Sequence, residues 1–253
     1  MSSLTVIILT KNSENEVVNR IENVLFAQNI LIIDDNSQDR AVEVVRNMNN
    51  PKVEVIVHTL NGNFSAQRNF ALQKVKTDWA MFIDIDEHVS DSLKKEIASS
   101  IKENQYNGFY IKRVDVMWGK KLTHGEVGNI SLLRLGRVGF GKWTGAVHEK
   151  WMIKGSTASL DNELLHYPHP KISEFLEEVN AYSTLRAQEL QSRGVKVSIL
   201  QIIMYPGVKF ILNYILKRGY KDGLAGFLVA MMMSLHSFLV RAKLYLLQQH
   251  SQK

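Results

Sequence analysis

The stretch WAMFIDIDEHVS, residues 79–90, carries an apolar run directly into the carboxylates of Asp84, Asp86 and Glu87. Neighbouring carboxylates repel one another unless water or a cation neutralises them. In an extended chain Asp84 and Asp86 lie two residues apart and therefore point to the same face. Two oxygen ligands on one face, with room for phosphate oxygens, suit Mg²⁺ or Mn²⁺. The alternative is that the two aspartates interact favourably with the N-terminus of the next helix. We expect Glu87 to support the loop.

Polar residues also end two other apolar runs, TKN at 10–12 and DDNS at 34–37. An acidic residue at such a place commonly accepts a hydrogen bond from the ribose of a nucleoside, whereas a plain helix start is the alternative. Arg68, in the segment SAQRN, is a candidate for a diphosphate because a guanidinium can bond two phosphate oxygens at once. An exposed surface arginine is the other interpretation of this residue.

Composition narrows the chemistry further. Cysteine is absent from the 253 residues, so disulfides, thiolate nucleophiles and cysteine-ligated metals are excluded, and the chain suits a reducing cytoplasm. No G-x-G-x-x-G or Walker A pattern follows an apolar run, which disfavours a dinucleotide-binding fold and a P-loop. Any metal must therefore use oxygen and histidine ligands.

The elements that position these residues follow from the apolar pattern. Four β-branched runs begin about 25 residues apart, at 4–10, 29–35, 53–59 and 79–85, with helical periodicity between them. Continuous apolar strands that alternate with amphipathic helices predict a mainly parallel sheet covered on both faces. Ligands of such sheets bind beyond the carboxyl ends of the strands, where the polar residues lie.

Helix starts and later elements are also predicted. Ser13-x-x-Glu16 is typical of a capping box, and Ser37 and Ser90 are expected to cap the helices that follow. Segments 108–118 and 129–136 are predicted strands, residues 119–161 are rich in Gly, Trp and His, and an amphipathic helix is predicted over 171–192.

Four motifs in this order and spacing, TVIILTKN, IIDDNSQD, SAQRNFA and FIDIDEHV, resemble those of the family 2 glycosyltransferases with the GT-A fold. The resemblance covers about residues 4–170. It implies an α/β fold with a Rossmann-like mixed, mainly parallel sheet, and a nucleotide-sugar donor, most simply a UDP-sugar. The residues expected at the nucleotide-sugar site are Thr10, Asn12, Asp34, Asp35, Arg68, Asn69 and Asp84. The cation, Mg²⁺ or Mn²⁺, is expected on Asp86.

The later segments GAVHEKW and ELLHYPHP extend the resemblance. The first resembles an acceptor-side motif of the family and implies that Glu149 is the catalytic base, with an ion pair to Lys150 as the alternative. In the second, His166 is expected to complete the metal site, although His169 could do so instead. His148 is expected to orient Glu149 or the acceptor, and a hydrogen-bonded histidine in a loop is the equal alternative.

Tryptophans in the loop-rich part of the chain are the remaining candidates. Trp118, Trp143 and Trp151 each offer an aromatic face on which a sugar ring could stack, and Trp118 is the one we assign to the acceptor. Core packing is the alternative for each of them.

The last third of the chain differs in charge and apolarity. Residues 1–170 carry 20 basic and 20 acidic residues, whereas residues 171–253 carry 11 and 5. Residues 223–240 contain no Asp, Glu, Lys or Arg. This segment of 18 residues is slightly shorter than the roughly 20 apolar residues of a spanning helix. Helices in a membrane interface, helices packed on protein, and a true span all stay open. We predict a GT-A catalytic domain over 1–170 and amphipathic, membrane-associating C-terminal helices over 171–253.

The tail NYILKRGYKDGLAGFLVA is similar to that of bacterial lipopolysaccharide inner-core β-1,4-glucosyltransferases. This implies an inverting, metal-dependent transfer of a sugar, glucose by analogy, to a lipopolysaccharide core or another cell-surface glycan. It also implies a peripheral location on an anionic membrane surface at the cytoplasmic face of the inner membrane. The alternative is an inactive nucleotide-sugar-binding or scaffold protein. A nucleic-acid partner is not expected, since the basic residues interleave with long aliphatic runs.

Overall fold

A computed structural model describes residues 2–103, 105–128, 130–145, 149–168 and 171–250 of the chain. The chain divides into two compact units, which are Met1–Arg113 with Ile130–His166, and Val114–Asn129 with Tyr167–Lys253. The domain limits at residue 170 stay a prediction.

Strands dominate the first unit and long helices the second. The strands are β1 (Leu4–Thr10), β2 (Asn29–Asp34), β3 (Val53–Val57), β4 (Trp79–Asp84), β5 (Glu87–Val89), β6 (Gly108–Met117), β7 (Lys120–Leu122), β8 (Ile130–Arg137), β9 (Gly141–Thr144), β10 (Lys150–Ile153) and β11 (Thr157–His166). The helices are α1 (Val17–Asn23), α2 (Ala41–Asn47), α3 (Phe64–Lys74), α4 (Asp91–Ser100), α5 (Ile172–Ser192), α6 (Ile199–Ile211) and α7 (Gly223–His250).

The main sheet is mixed, with strand order β3-β2-β1-β4-β8-β6-β11-β5. Strands β3, β2, β1 and β4 run parallel to one another, whereas β8 is antiparallel to both β4 and β6. Alternate residues of the parallel strands enter two separate cores. Ile8 and Met81 belong to one core, and Ile7 and Phe82 to the other. Burial of both faces explains why these strands are continuously apolar, and the predicted α/β fold is confirmed.

Strand register brings the polar ends of the parallel strands to one edge of the sheet. Thr10 pairs with Asp34 across β1 and β2, and Leu9 pairs with Asp84 across β1 and β4. The end of β4 therefore lies beside the end of β1, which in turn lies beside the end of β2. This edge carries most of the residues that the sequence singles out.

Two of the predicted helix starts are wrong. Helix α1 begins at Val17 without a side-chain cap, and the Ser13 hydroxyl instead donates to the Lys11 carbonyl. Helix α2 begins only at Ala41, since Ser37 is held by Asp34 in the loop after β2. Both serines stabilise loops at the polar sheet edge. The Ser90 cap is confirmed by its hydrogen bond from the Leu93 N–H.

The second unit contains the helices α5, α6 and α7. Helix α5 confirms the helix predicted over 171–192, and α6 starts with a capping box between Ser198 and Gln201. A π-helical turn and a 3-10 turn connect α6 to α7. Two segments, Ile199–Leu216 and Gly219–Gln249, are long and apolar enough to cross a membrane by length and composition alone.

One buried carboxylate ties the loop after β7 to the helices of the second unit. Asp222, only 3% exposed, accepts hydrogen bonds from the backbone N–H groups of Thr123 and His124. Its other oxygen lies 3.2 Å from the Thr123 hydroxyl and 2.9 Å from His124 Nδ1. A single side chain therefore satisfies donors from two consecutive loop residues.

We expect Asp222→Asn to lower the free energy of unfolding by about 1–3 kcal/mol. The amide would turn an NH₂ group toward donors that need an acceptor. Urea denaturation measures the loss, and hydrogen exchange should show faster exchange of the Thr123 and His124 amides. Asp161→Asn, at an exposed position, is the control and should change neither. Unchanged exchange at Thr123 and His124 in Asp222→Asn would contradict this role.

Candidate functional site

The acidic segment after β4 is a turn and not a continued strand. Asp84 is the last residue of β4, Ile85 and Asp86 form the turn, and Glu87 begins β5 opposite His166 of β11. The expectation that Asp84 and Asp86 share one face of an extended strand is therefore wrong. The turn sends the two carboxylates to different partners.

Asp84 and Glu149 are joined by one guanidinium, that of Arg68 on α3. Arg68 Nε donates to Glu149 Oε1 at 3.0 Å, and its Nη2 donates to Asp84 Oδ1, also at 3.0 Å. The arginine is only 4% exposed, so it is held within the protein and is not a surface residue. The fork geometry of a guanidinium allows it to orient two carboxylates from distant parts of the chain.

A second buried arginine, Arg134 on β8, holds the other side of Asp84. Its Nη2 donates to Asp84 Oδ2 at 2.6 Å and to Glu87 Oε1 at 2.9 Å. Glu87, which is fully buried, uses its second oxygen to accept the Asp84 backbone N–H at 2.9 Å. Glu87 thus supports the loop, as predicted.

Arg134 is the principal residue that sequence reasoning missed. It lies in the apolar strand run ISLLRLG, where a buried arginine needs an acidic partner. That requirement is the signal in the sequence that could have identified Arg134, with the carboxylates of FIDIDE as its acidic partners.

The arginines set the protonation of the acidic cluster. Burial alone would raise the pKa of Asp84, but the charges of Arg134 and Arg68 outweigh it and hold the pKa well below its usual range. Burial raises the pKa of Glu87, opposed by Arg134 and reinforced by the Asp84 charge. Near neutral pH, Asp84 is therefore a firmly ionised carboxylate between two cations.

Aromatic rings fix the position of Arg68. Its guanidinium carbon lies 4.8 Å from the centroid of the Trp143 ring and 5.4 Å from that of Phe82. Trp143 and Trp151 stack on each other across the β9–β10 hairpin, and both meet Phe82 edge-on. Both tryptophans are packed in the core and also contribute to the cavity described below.

Asn69 fastens this hairpin to α3. Its side-chain NH₂ donates to the Trp143 carbonyl at 2.9 Å, and its side-chain oxygen accepts the Trp143 N–H at 2.8 Å. Both ends of the amide are therefore engaged by backbone. A contact between Asn69 and the nucleotide stays a prediction.

The polar ends of β1 and β2 form a separate network. Asp34 accepts bonds from the Ser37 N–H and hydroxyl, and the Asn12 side-chain oxygen accepts the N–H of Gln38. Asp35 accepts the Leu60 N–H at 2.6 Å and pairs with Lys11 at 2.8 Å.

This network includes a carboxylate with a lowered pKa, Asp35, and a hydroxyl without a hydrogen-bond partner among the described residues, that of Thr10. Burial would raise the pKa of Asp35, but Lys11 and the Leu60 N–H lower it overall. The buried Thr10 hydroxyl has no hydrogen-bond partner among the described residues. An ionised acceptor and an unused hydroxyl therefore lie at the carboxyl ends of two neighbouring strands.

Asp86 and His166 face each other across the turn. Asp86 Oδ2 lies 3.1 Å from His166 Nε2, and the Asp86 side chain is 40% exposed. In the parts of the chain that the structure describes, no three His, Asp or Glu side chains form a metal-binding group. A carboxylate and an imidazole fit a divalent cation that takes its remaining ligands from substrate oxygens.

The Arg68 cluster opens into a cavity of about 580 Å³ in the first unit. Its lining includes Arg68, Asp84, Arg134, Trp143, Glu149 and Trp151. The cavity thus offers one carboxylate, Glu149, that is bonded to a single arginine, and one, Asp84, that is clamped by two.

Of the two predicted acceptor residues, the structure describes Trp118. Trp118 belongs to the second unit, in the turn between β6 and β7, where it packs against the apolar cluster that includes Met117 and Phe175. His148 and the alternative metal ligand His169 lie outside the described residues.

Comparison with known proteins gives a consistent picture. The family model for glycosyl transferase family 2 matches residues 5–156. The chain is 26% identical over 256 residues to the lipopolysaccharide core biosynthesis glycosyltransferase LpsC of Rhizobium meliloti, covering 99% of this chain and 94% of that protein. It is 24% identical over 260 residues to a glycosyltransferase of Rickettsia typhi, covering 96% of this chain and 87% of that protein.

The fold is similar to that of a solved structure, Staphylococcus aureus TarS residues 1–349 in complex with UDP-GlcNAc. The TM-score is 0.51 at 12% sequence identity, over 98% of this chain and 92% of that chain. Similarity at this level of identity establishes the shared fold.

Removing the arginine between Asp84 and Glu87 tests the electrostatics of the cluster. We expect Arg134→Gln to destabilise the protein by roughly 3 kcal/mol at neutral pH, because buried Glu87 loses its hydrogen-bonded cation and keeps only the longer contact with Arg113 Nη1 at 3.9 Å. The raised pKa of Glu87 should rise further. A group with a raised folded-state pKa loses its contribution to stability as pH increases, so the deficit should shrink as pH falls toward about 4.3, the ordinary glutamate value.

Urea denaturation at several pH values measures this deficit. Arg40→Gln is the control, because Arg40 makes only a solvent-exposed ion pair with Glu14, and it should cost less than about 1 kcal/mol. A deficit in Arg134→Gln that stays constant with pH would contradict the assignment of a buried charge to Glu87.

Proposed function

The chain belongs to glycosyl transferase family 2, and we propose that it is an inverting enzyme that transfers glucose from a UDP-sugar to a lipid-anchored glycan. The acceptor that we propose is a lipopolysaccharide core, in keeping with the name of the Rhizobium meliloti relative. The observation that carries the proposal is the Glu149 carboxylate, held by Arg68 beside Asp84 at the wall of the cavity.

Glu149 is the proposed catalytic base. Arg68 engages Oε1 of this carboxylate, and we assign Oε2 to the acceptor hydroxyl. As that hydroxyl oxygen bonds to the anomeric carbon, its proton passes to Glu149 and the bond from the anomeric carbon to the diphosphate breaks. The diphosphate leaves with the electron pair. The transition state has oxocarbenium character, as in glycoside hydrolysis.

The distribution of carboxylates favours a single displacement. A double displacement needs a carboxylate nucleophile on the face of the sugar opposite the leaving group. The described residues that line the cavity include two carboxylates, Asp84 and Glu149. Asp84 is bonded by both Arg68 and Arg134, so we assign it to orienting Arg68. One base and one displacement invert the anomeric centre.

The donor diphosphate is assigned to Arg68, Asp86 and His166. Arg68 lines the cavity, and its buried Nη1 has no hydrogen-bond partner among the described residues, so we assign that nitrogen to a phosphate oxygen of the bound donor. Asp86 and His166 would hold Mg²⁺ or Mn²⁺. Such a cation supplies positive charge to the departing diphosphate.

The nucleoside is assigned to the ends of β1 and β2. Asp34 and Asp35 are acceptors for ribose or base donors, and the Thr10 hydroxyl is an additional donor. Asn12 orders the loop that surrounds them. The UDP-GlcNAc in the TarS structure supports a UDP-linked donor for this chain.

The second unit is proposed to attach the enzyme to the cytoplasmic face of a membrane. Helix α6 has no buried residue, and large apolar side chains such as Leu200 and Ile203 are about two-thirds exposed. Lys217, Arg218 and Lys221 follow in the connection to α7. Exposed apolar surface flanked by lysine and arginine suits an interface with anionic headgroups.

We expect Glu149→Gln to lower kcat by about 10²- to 10⁴-fold with little change in donor affinity. Glutamine still accepts a hydrogen bond from Arg68 but cannot take the acceptor proton. Turnover assays and donor titrations measure the two effects. Glu43→Gln, on the exposed face of α2, should leave both values unchanged. A normal kcat in Glu149→Gln would remove this residue from the chemistry.

A panel of nucleotide-sugars tests the donor and the cation together. We expect UDP-glucose with Mn²⁺ to raise the Tm of the protein more than other nucleotide-sugars do, and chelator to abolish most of that rise. Asp86→Asn should lose the Mn²⁺-dependent part, whereas Asp91→Asn, with an exposed side chain, should keep it. Equal stabilisation with and without chelator would exclude the cation, and a larger shift with another nucleotide-sugar would replace the proposed donor.

A further inference from the structure

A second large cavity lies within the helical unit and has no part in the proposed chemistry. It measures about 490 Å³ and is bordered by α5, residues 195–197, α6 and α7. Much of its wall is aliphatic, contributed by Leu190, Val197, Val208, Leu212, Val240 and Leu244. We call it the helical cavity.

The charged side chains of the helical cavity all have one sign. Arg186, Lys196, Lys209 and Arg241 line it, and no Asp or Glu is among its described lining residues. Arg186 and Lys209 have acidic partners outside the lining, in Glu189 and Glu126 respectively. For Lys196 and Arg241 the described part of the chain supplies no ion-pair partner.

Arg241 is held in place although no carboxylate balances it. Its guanidinium carbon lies 3.7 Å from the centroid of the Tyr205 ring, a stacking contact between α7 and α6. Its Nη1 donates to the Ser237 carbonyl at 3.1 Å and to the Ser237 hydroxyl at 2.9 Å. A partly buried cation without an anion is costly, so this preorganised guanidinium is suited to an anionic ligand.

The aliphatic wall of the helical cavity continues into exposed apolar surface. Val208 both lines the cavity and is 57% exposed, on the same helix as the exposed Ile203, Met204 and Ile211. A ligand in the cavity can therefore have an apolar portion that extends along α6.

We propose that the helical cavity binds one molecule of an anionic phospholipid, with the phosphate on Arg241 and Lys196 and an acyl chain along the aliphatic wall. Inorganic phosphate alone would satisfy the cations but leave the apolar wall in water. A zwitterionic lipid would cover the wall but bring its own cation toward the basic side chains. The site does not depend on glycosyl transfer.

Short-chain lipids test the proposal without a bilayer. We expect the full-length protein to bind monomeric dihexanoyl-phosphatidylglycerol in calorimetric titration, at least tenfold more tightly than dihexanoyl-phosphatidylcholine or inorganic phosphate. Affinity should rise about fourfold for each buried methylene in longer chains. Equal affinity for the two lipids would overturn the proposal, as would phosphate binding as tight as that of the anionic lipid.

Variants locate the phosphate. We expect Lys196→Gln and Arg241→Gln each to weaken phosphatidylglycerol binding about tenfold or more. Lys196 is exposed. Arg241→Lys should recover part of the loss seen in Arg241→Gln. Arg193→Gln removes a charge from an exposed arginine nearby that does not line the cavity, and it should leave binding unchanged. Equal weakening by Arg193→Gln and Lys196→Gln would mean general charge attraction and would overturn the site.

Liposome flotation separates this site from attachment of the whole protein to a membrane. We expect Arg241→Lys to float with anionic vesicles as the unmodified protein does, while its affinity for the single lipid is reduced. An unreduced affinity for the single lipid in both Arg241 variants would refute the assignment even if flotation is normal.

Discussion

The structure of the candidate site depends on one buried interaction, the fork of Arg68 between Asp84 and Glu149. Asp84 ends a central strand, whereas Glu149 precedes a hairpin strand 65 residues later in the chain. The Asp84 and Glu149 side chains are only 35% and 16% exposed, and the guanidinium balances the charge of both, since unpaired charge away from water is costly. Arg134 and Glu87 extend the same pairing on the other side of Asp84. The proposed base is therefore positioned by electrostatic balance.

The fold holds Arg68, Asp84 and Glu149 in fixed positions. Both faces of the parallel strands are buried, so β4 cannot slip without moving side chains of two cores. The stacked Trp143 and Trp151 hold the hairpin, and Asn69 fixes that hairpin to the helix that carries Arg68. Helix and hairpin are thus joined by hydrogen bonds between the Asn69 side chain and the Trp143 backbone as well as by aromatic contacts, which limits the freedom of Glu149. Activation of the acceptor requires this support, because the reaction rate falls steeply when the base is displaced from the acceptor hydroxyl.

The strands of the parallel half could be predicted from the sequence because each is a continuous apolar run that ends in polar residues. The resemblance of the motifs assigned Arg68, Asp84 and Glu149 to the donor and acceptor sides of one active site, but it did not predict that Arg68 bonds both carboxylates. The turn at Ile85 did not follow, since an extended chain and a turn both suit IDIDE, and only the pairing of β5 with β11 selects the turn. Arg134 was missed because its partners lie across the sheet, beyond any local pattern. Ser13 and Ser37 show the same limit, as their bonds go to loop atoms that no helix pattern includes.

The anomeric configuration of the product tests the central claim most directly. Among the described residues that line the cavity, Glu149 is the one carboxylate not bonded by two arginines, so our proposal predicts a single displacement at the anomeric carbon. Proton NMR of the glycoside formed from α-linked UDP-glucose should show a β-linked sugar, because the new glycosidic bond fixes the anomeric configuration. An α-linked product would mean that the anomeric configuration is retained, and it would contradict attack from the face opposite the leaving diphosphate with Glu149 as the base.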